Sequence, residues 1–423
     1  MTLRDQLPIG LALRAYLAAS PLIGLAAPVI LRRRLARGKE DPARVAEKRG
    51  HATALRPEGR LVWLHAVGLG EVLALRGLIC AMAQIDPTMN FLITSSARSS
   101  AQVIGTNLPP RTQHQYLPLD APPYLARFLN YWQPDLSVWA EQELWPGAVM
   151  AAHARGVPLA LVNARMTEGG FTRRARAGRL YGDLLARFAL IAAQDDQSAK
   201  HLSALGATGI RVTGSLKSAA PPLHADPSAL AVARAAVQHR HVWVAASTHL
   251  ADEAEAIAAQ AELWRDDPRW LLVLAPRDTA RAGAIAAYLT DKGLPFQLRS
   301  LGGLPGPKDA VWLADTYGEM GLWYRVANAA LIGGSFDTTD GHNPWEAAHF
   351  RAAILHGPKV ANFLNDFQML HRGQAAREVV IGGLANALSA EDLPAMAYRA
   401  EKMVQQAAGK LVPLATDLIA QVR

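Results

Sequence analysis

The sequence predicts an α/β protein of two Rossmann-like domains, each a mainly parallel sheet with helices on both faces, facing a central cleft. Three observations lead there. From Leu61 onward short apolar runs alternate with stretches of helical periodicity, the pattern of strand–helix–strand units. The alternation breaks at Ala219–Pro227, AAPPLHADP, where paired prolines continue neither a helix nor a central strand, and then restarts. A length of 423 residues suits two or three domains at about 100 to 200 residues each.

The chain opens with an apolar segment, Leu7 to Leu31, followed at once by Arg32, Arg33, Arg34, Arg37 and Lys39. That pairing predicts a membrane-associating segment over residues 1–35 with basic residues at the cytoplasmic surface. Pro8, Arg14, Pro21 and Pro28 interrupt it, so a surface-lying or partly inserted anchor is expected rather than a free-standing span. No small-residue cleavage site precedes the basic cluster. A net charge of +8 and a pI near 9.7 favour acidic partners. Because the basic residues gather beside the apolar terminus and do not alternate with aromatics, nucleic acid is not expected among them. The single cysteine, Cys80, excludes an internal disulfide framework and a cysteine zinc cluster, and its apolar helical setting reads as core.

The first domain, residues 36–218, carries predicted strands at Leu61–His65, Phe91–Thr94, Leu136–Ala140, Leu159–Val162, Leu190–Ala193 and Ile210–Thr213. The second, 219–423 with a linker over 219–227, carries them at His241–Ala246, Trp270–Ala275, Ala310–Ala314, Ala329–Ile332 and Ala353–Leu355. From Ala385 the tail is helical by pattern. Ligands of such sheets sit at the carboxyl ends of the strands, and this chain's unusual polar residues fall there.

In WLHAVGLGEV, Gly68 and Gly70 begin a dinucleotide-like fingerprint whose third glycine is replaced by Leu73; Glu71 stands at the helix start, where the dipole favours an ionised carboxylate able to act as a base. AEQELWP places Glu141 and Glu143 after a strand, one inward and one outward if the strand persists, with Pro146 opening a helix. Asn163 and Arg165 end the next strand, where a guanidinium can hold phosphate or carboxylate, and Lys217 ends another, where it can offset developing negative charge.

In the second domain Ser247, Thr248 and His249, then Pro276 and Arg277, then Gly318 and Glu319 occupy equivalent places. A fourth such place is IGGSFDTTDGHNPWEAA, Ile332 to Ala348. There Gly333 and Gly334 allow close backbone approach, Ser335 offers a hydroxyl, and Gly341 and His342 precede Asn343 as N-cap and Pro344 as first helical residue. Glu346 lies in the first turn, positioned for a ribose hydroxyl. Together these strand ends read as a nucleotide-phosphate cradle.

With these motifs in hand, the chain from Glu47 to about Gln368 resembles the 3-deoxy-D-manno-octulosonic acid (Kdo) transferases of lipopolysaccharide assembly, inverting glycosyltransferases of the GT-B fold. The resemblance rests on HAVGLGE, AEQELWP, NARMTE, VTGSLK, ASTH, APR, DTYGEM, GGSF with GHNPWEAA, and HGP with Asn362 and Phe363. It implies Glu71 as catalytic base and Glu141 and Lys217 as stabilisers of the transition state. It implies CMP-binding segments at Pro276 and Arg277, at Gly318, Glu319 and Met320, and at Asn343, Pro344, Trp345 and Glu346. The acceptor falls to the N-terminal domain, with Gly70, Asn163 and Arg165 as its candidate contacts, and the C-terminal domain binds the CMP-sugar. The chain departs from the family pattern at Gly68, along Thr94–Ser100, at Gly169 and Gly170, and at Ser215, Asp278 and Asp340.

The expected reaction is direct displacement: a hydroxyl of a lipid A precursor attacks the anomeric carbon of CMP-Kdo, Glu71 takes the proton, and CMP leaves. No metal or other cofactor is expected, since Asp195 and Asp196 begin a plain helix and no other acidic pair ends a strand convincingly. Alternatives are a GT-B transferase using another nucleotide sugar, and a non-catalytic membrane-bound paralogue that binds sugar nucleotide or lipid. The expected location is the cytoplasmic face of the inner membrane, against its anionic surface.

Overall fold

The computed structural model describes residues 8–96, 108–141 and 143–422. Of the segment Thr94–Ser100, where the chain departs from the family pattern, Ala97–Ser100 lie outside the described residues. The chain divides into two units between Pro221 and Pro222, and the residues from Ala407 onward return to the first unit.

The first unit is built on a parallel sheet of β1 (Leu61–His65), β2 (Asn90–Ser95), β3 (Thr112–Tyr116), β4 (Leu136–Ala140), β5 (Leu159–Ala164), β6 (Leu190–Ala193) and β7 (Ile210–Val212), in the order β3-β2-β1-β4-β5-β6-β7. Every residue of β1 is buried. Val62 and Leu64 point into one core and Leu61 and Trp63 into another, because successive side chains of a strand alternate and both faces of this sheet are covered. The second unit repeats the plan with β8 (His241–Thr248), β9 (Trp270–Pro276), β10 (Phe296–Leu298), β11 (Val311–Leu313), β12 (Ala329–Ile332), β13 (Ala353–His356) and β14 (Ala376–Glu378). Its order is β10-β11-β9-β8-β12-β13-β14. Val242, Val244 and Ala246 face one core, Trp243 and Ala245 the other. This is the two-domain, parallel-sheet GT-B architecture. Strand order reverses direction at β1/β4 in one sheet and at β8/β12 in the other, and such switch points are where open α/β sheets bind ligands.

Two expectations about boundaries change. The tail does not belong wholly to the second domain: Leu411, Leu414, Ala415 and Leu418, in the helix Leu393–Ile419, are buried in the first unit's core with Leu75, Leu78 and Met82. Of the expected segment 1–35, the described part from residue 8 onward is not separate either. The helices Leu11–Ala19 and Pro21–Ala36 lie against the first unit, tied by Gly10 N to Asp183 at 2.8 Å, the Tyr16 hydroxyl to Asp120 at 2.6 Å and the Tyr124 hydroxyl to the Gly24 carbonyl at 3.2 Å. Leu13 is fully buried. Among the described residues no single helix is long and apolar enough to cross a membrane, and this pair bends by 49° at Ser20–Pro21. Its outer face shows Leu11, Leu22, Leu25, Val29 and Ile30 to solvent. Cys80 is only partly buried, within the helix Leu69–Ile85.

Candidate active site

In the first unit the polar residues gather around the β1/β4 switch point. After β1 the chain turns through Val67 and Gly68 into the helix Leu69–Ile85, and Glu71 folds back over that turn. One of its carboxylate oxygens, Oε2, accepts from the amides of Val67 at 2.9 Å and Gly68 at 3.3 Å, satisfying donors left unpaired at the turn and helix start. Burial raises the Glu71 carboxyl above the ordinary carboxylate range, and the charge of Glu141 adds to this. The two amides and Lys217 oppose it. The result is a carboxylate more basic than a solvated one. Gly70, beside it, is exposed, and a side chain there would meet open space.

Glu141 follows the last residue of β4 with φ +61°, a left-handed backbone unusual for glutamate, so the strand does not persist. Residues two apart on a strand share a face, so the split of the two carboxylates comes from this break and not from strand alternation. Glu141 is buried and Glu143 exposed. The Glu141 carboxylate pairs with Lys217 Nζ at 3.2 Å, the lysine lying on the short 3-10 turn Leu216–Ala219. Beside this pair sits Asn163, 1% exposed, also left-handed at φ +52°, in a stretch of β5 whose register with β6 slips. Its Oδ1 accepts from Leu216 N at 2.9 Å and its Nδ2 donates to Glu141 at 3.4 Å. Arg165 is half-buried, and its Nε is buried without a hydrogen-bond partner.

In the second unit the β8/β12 switch point organises a different arrangement. Ser247, left-handed at φ +55°, bulges β8 against β9. Thr248 is 1% exposed with its hydroxyl unpartnered. His249 leads into the helix Leu250–Asp266, and its Nε2 lies 3.0 Å from Nε2 of His342, the rings stacked. Burial, then the charges of His249 and Arg277, push His342 down to about 4, so it is neutral at pH 7. Burial pushes the Glu346 carboxyl up to about 7 against a hydrogen bond from Asn343 and the charge of Arg277. The Arg277 backbone is fixed to Thr248 at 3.0 Å while its side chain is exposed. Asp252, fully buried, ties the arrangement together. It accepts from His249 N at 2.9 Å, Gly334 N at 2.6 Å and Phe336 N at 3.0 Å.

Residues 43–220 match the family described as 3-Deoxy-D-manno-octulosonic-acid transferase (kdotransferase). A 3-deoxy-D-manno-octulosonic acid transferase of Rickettsia bellii is 31% identical over 354 residues, 84% of each chain. The chain belongs to the Kdo transferase family. A Bordetella pertussis 3-deoxy-D-manno-octulosonic acid transferase is 35% identical over 363 residues, 81% of this chain and 79% of the relative. A probable mitochondrial one of Arabidopsis thaliana is 34% identical over 353 residues, 81% of this chain and 78% of the relative. Among solved structures, UDP-GlcNAc 2-epimerase from Neisseria meningitidis aligns over 86% of this chain and all of its own, with a TM-score of 0.56 and 12% identity, a likeness of fold.

Not every residue of this glycosyltransferase expected at a ligand is free to reach one. The Ser335 hydroxyl is spent inside the loop, donating to the Ile332 carbonyl at 2.6 Å and accepting from Gly357 N at 2.8 Å. Gly333 is a glycine because a Cβ there would come within 2.4 Å of the Ser247 carbonyl, not because a ligand must approach. Gly334 and Gly341 take positive φ and close the loop on itself through Gly341 N to the Gly334 carbonyl at 2.8 Å.

Pro344, buried, is the N-cap residue of a single turn, Trp345–Ala348, while the Asn343 side chain accepts from Trp345 N at 3.1 Å. The helix expected here is therefore too short to gather much dipole. Trp345 is buried and donates to Asp366 at 2.7 Å. Glu319, which caps the helix Met320–Val326, is held by Arg299 at 2.7 Å and by Thr316. Burial pushes its carboxyl up, but those bonds leave it below its ordinary value. Met320 packs on the core, Pro276 closes β9, and Gly318, at φ +85°, borders open space. Asp252 is the residue the sequence does not single out, since there it reads as one more acid at a helix start.

Proposed function

We propose that the chain transfers Kdo from CMP-Kdo to a lipid A precursor with inversion at the anomeric carbon. Family membership supports the class of reaction, and the observation that carries the mechanism is the placement of Glu71. Its carboxylate is held by two backbone amides, made more basic by burial and by Glu141, and kept within the influence of Lys217. An acceptor hydroxyl oxygen bonds to the anomeric carbon while the bond from that carbon to the CMP phosphate breaks. The hydroxyl proton passes to Glu71, and CMP departs as the anion. The Glu141–Lys217 pair steadies charge around the base. On the donor side Arg277, with an exposed side chain that makes no hydrogen bond or ion pair among the described residues, is the cation offered to phosphate, and the unpartnered Thr248 hydroxyl and Glu346 are the nearby polar groups.

Purified protein incubated with CMP-Kdo and a tetra-acylated lipid A precursor should yield lipid heavier by Kdo residues on mass analysis. Glu71→Gln keeps the side-chain shape but accepts no proton, so transfer should fall by roughly 100-fold or more with CMP affinity near wild type. Near-normal turnover in that variant would remove Glu71 from the role of base.

The reading extends to location at an anionic membrane surface. What supports it is the outward face of the N-terminal helix pair, Leu11, Leu22, Leu25, Val29 and Ile30, followed by exposed Arg32, Arg33, Arg37 and Lys39. Because Leu13 and Tyr16 belong to the fold, the test leaves them in place: Leu22→Gln with Leu25→Gln should weaken binding to anionic vesicles without changing the melting temperature. Unchanged vesicle binding would refute it.

A further inference from the structure

Asn163 makes more specific contacts than an acceptor-binding side chain has to spare. Its amide oxygen accepts from Leu216 N, the residue before Lys217, and its amide nitrogen donates to the Glu141 carboxylate that Lys217 also meets. Its own carbonyl accepts from Gln194 Nε2 at 3.0 Å, which pins the bulged end of β5 to the end of β6. The orientation of the amide follows from chemistry: a backbone N–H needs the oxygen and a carboxylate needs the N–H. The left-handed backbone at φ +52° is one that asparagine, aspartate and glycine tolerate and most residues do not.

We propose that Asn163 is a positioning residue of the transfer reaction, joining the turn that presents Lys217 to the carboxylate of Glu141 at the carboxyl end of the first sheet and so fixing the charges that surround Glu71. The proposal rests on the roles given above to Glu71, Glu141 and Lys217. Glu141 and Lys217 are the charged groups that act on Glu71, with opposite signs, so a change in their spacing reaches the base without any contact between Asn163 and Glu71. A strand-end residue in a strained conformation beside reacting groups, with every polar atom of its side chain engaged, is how a sheet fixes such a geometry.

Two substitutions separate this from a structural role, because both accept the left-handed backbone. Asn163→Gly removes both side-chain bonds. Asn163→Asp keeps the acceptor for Leu216 N but sets a second carboxylate against Glu141. In transfer assays with CMP-Kdo, Asn163→Gly should lower kcat about tenfold or more with donor KM within about twofold of wild type. Asn163→Asp should lower kcat and also move the acid limb of the kcat–pH profile to higher pH, since like charges raise the carboxylates they face. A kcat for Asn163→Gly within about twofold of wild type, or an Asn163→Asp profile that loses height in step with melting temperature while its acid limb stays put, would overturn the proposal. Lys217→Ala in the same assay keeps the two readings apart. If it transfers normally, the catalytic reading fails; if it is inactive while both Asn163 variants are normal, only this inference fails.

Discussion

The two sheets each bring polar residues to a switch point, and they hold them there by different means. At β1/β4 the organiser is a neutral amide, Asn163, which bonds the Glu141 carboxylate and the turn that carries Lys217. At β8/β12 it is a buried carboxylate, Asp252, which collects three backbone amides. The first arrangement fixes charges. The second fixes the path of a loop, as a surface for gripping a ligand requires. A chemical step and a binding step make these different demands, and the difference predicts that damage to the first should show in turnover and damage to the second in affinity and stability.

The hardest test of that division is Asp252→Ala. Three amides would lose a charged acceptor in a buried setting, so stability should fall by about 3 to 5 kcal/mol in denaturant titration, and CMP binding should weaken with it. A variant with normal stability would show that the loop holds itself.

Glu346 gives a test by pH. Its folded-state value of about 7 lies above its ordinary 4.5, so the native protein keeps a proton that the unfolded chain gives up across that interval. The stability this group confers is complete below pH 4.5 and is lost as pH rises through 7. Thermal unfolding of wild type should therefore lose about 2 to 3 kcal/mol between pH 5 and 7.5 relative to Glu346→Gln. Parallel curves would mean that the carboxylate is compensated in the fold.

The smallest effect belongs to Arg277→Ala. With the side chain exposed, its loss should leave the melting temperature unchanged and weaken CMP binding about tenfold by calorimetry. Unchanged affinity would place the phosphate elsewhere and blur the contrast between the two ends.

What could be read from sequence follows from how far apart the interacting residues lie. Interior strands such as β1, β4 and β12 announce themselves as apolar runs because both faces are buried. β3, β10 and β14 were not predicted: each is an edge strand, and Thr112–Tyr116, TQHQY, has no apolar run to betray it. Glu71 was legible because its partners, Val67 and Gly68, lie within one turn of chain. Asp252 was not, because two of its partners, Gly334 and Phe336, come from more than 80 residues away. Asn163 reads from sequence as a candidate acceptor contact, and nothing local reveals that Leu216 will donate to it. Ser335 shows the reverse: a hydroxyl in a glycine-rich loop looks available until the fold supplies Gly357.

The placement of Leu411, Leu414, Ala415 and Leu418 in the first unit bears on the order in which the molecule can be completed on the ribosome. The second unit is one continuous stretch, Pro222–Gln406, and has all its residues once that stretch has emerged. The first unit was begun earlier but lacks part of one core until Leu411, Leu414, Ala415 and Leu418 have been made, after the whole of the second unit. Domains usually mature from the N-terminus during synthesis; here the first begun is the last finished, and a nascent chain stalled short of residue 411 would carry a complete second unit beside an open core in the first.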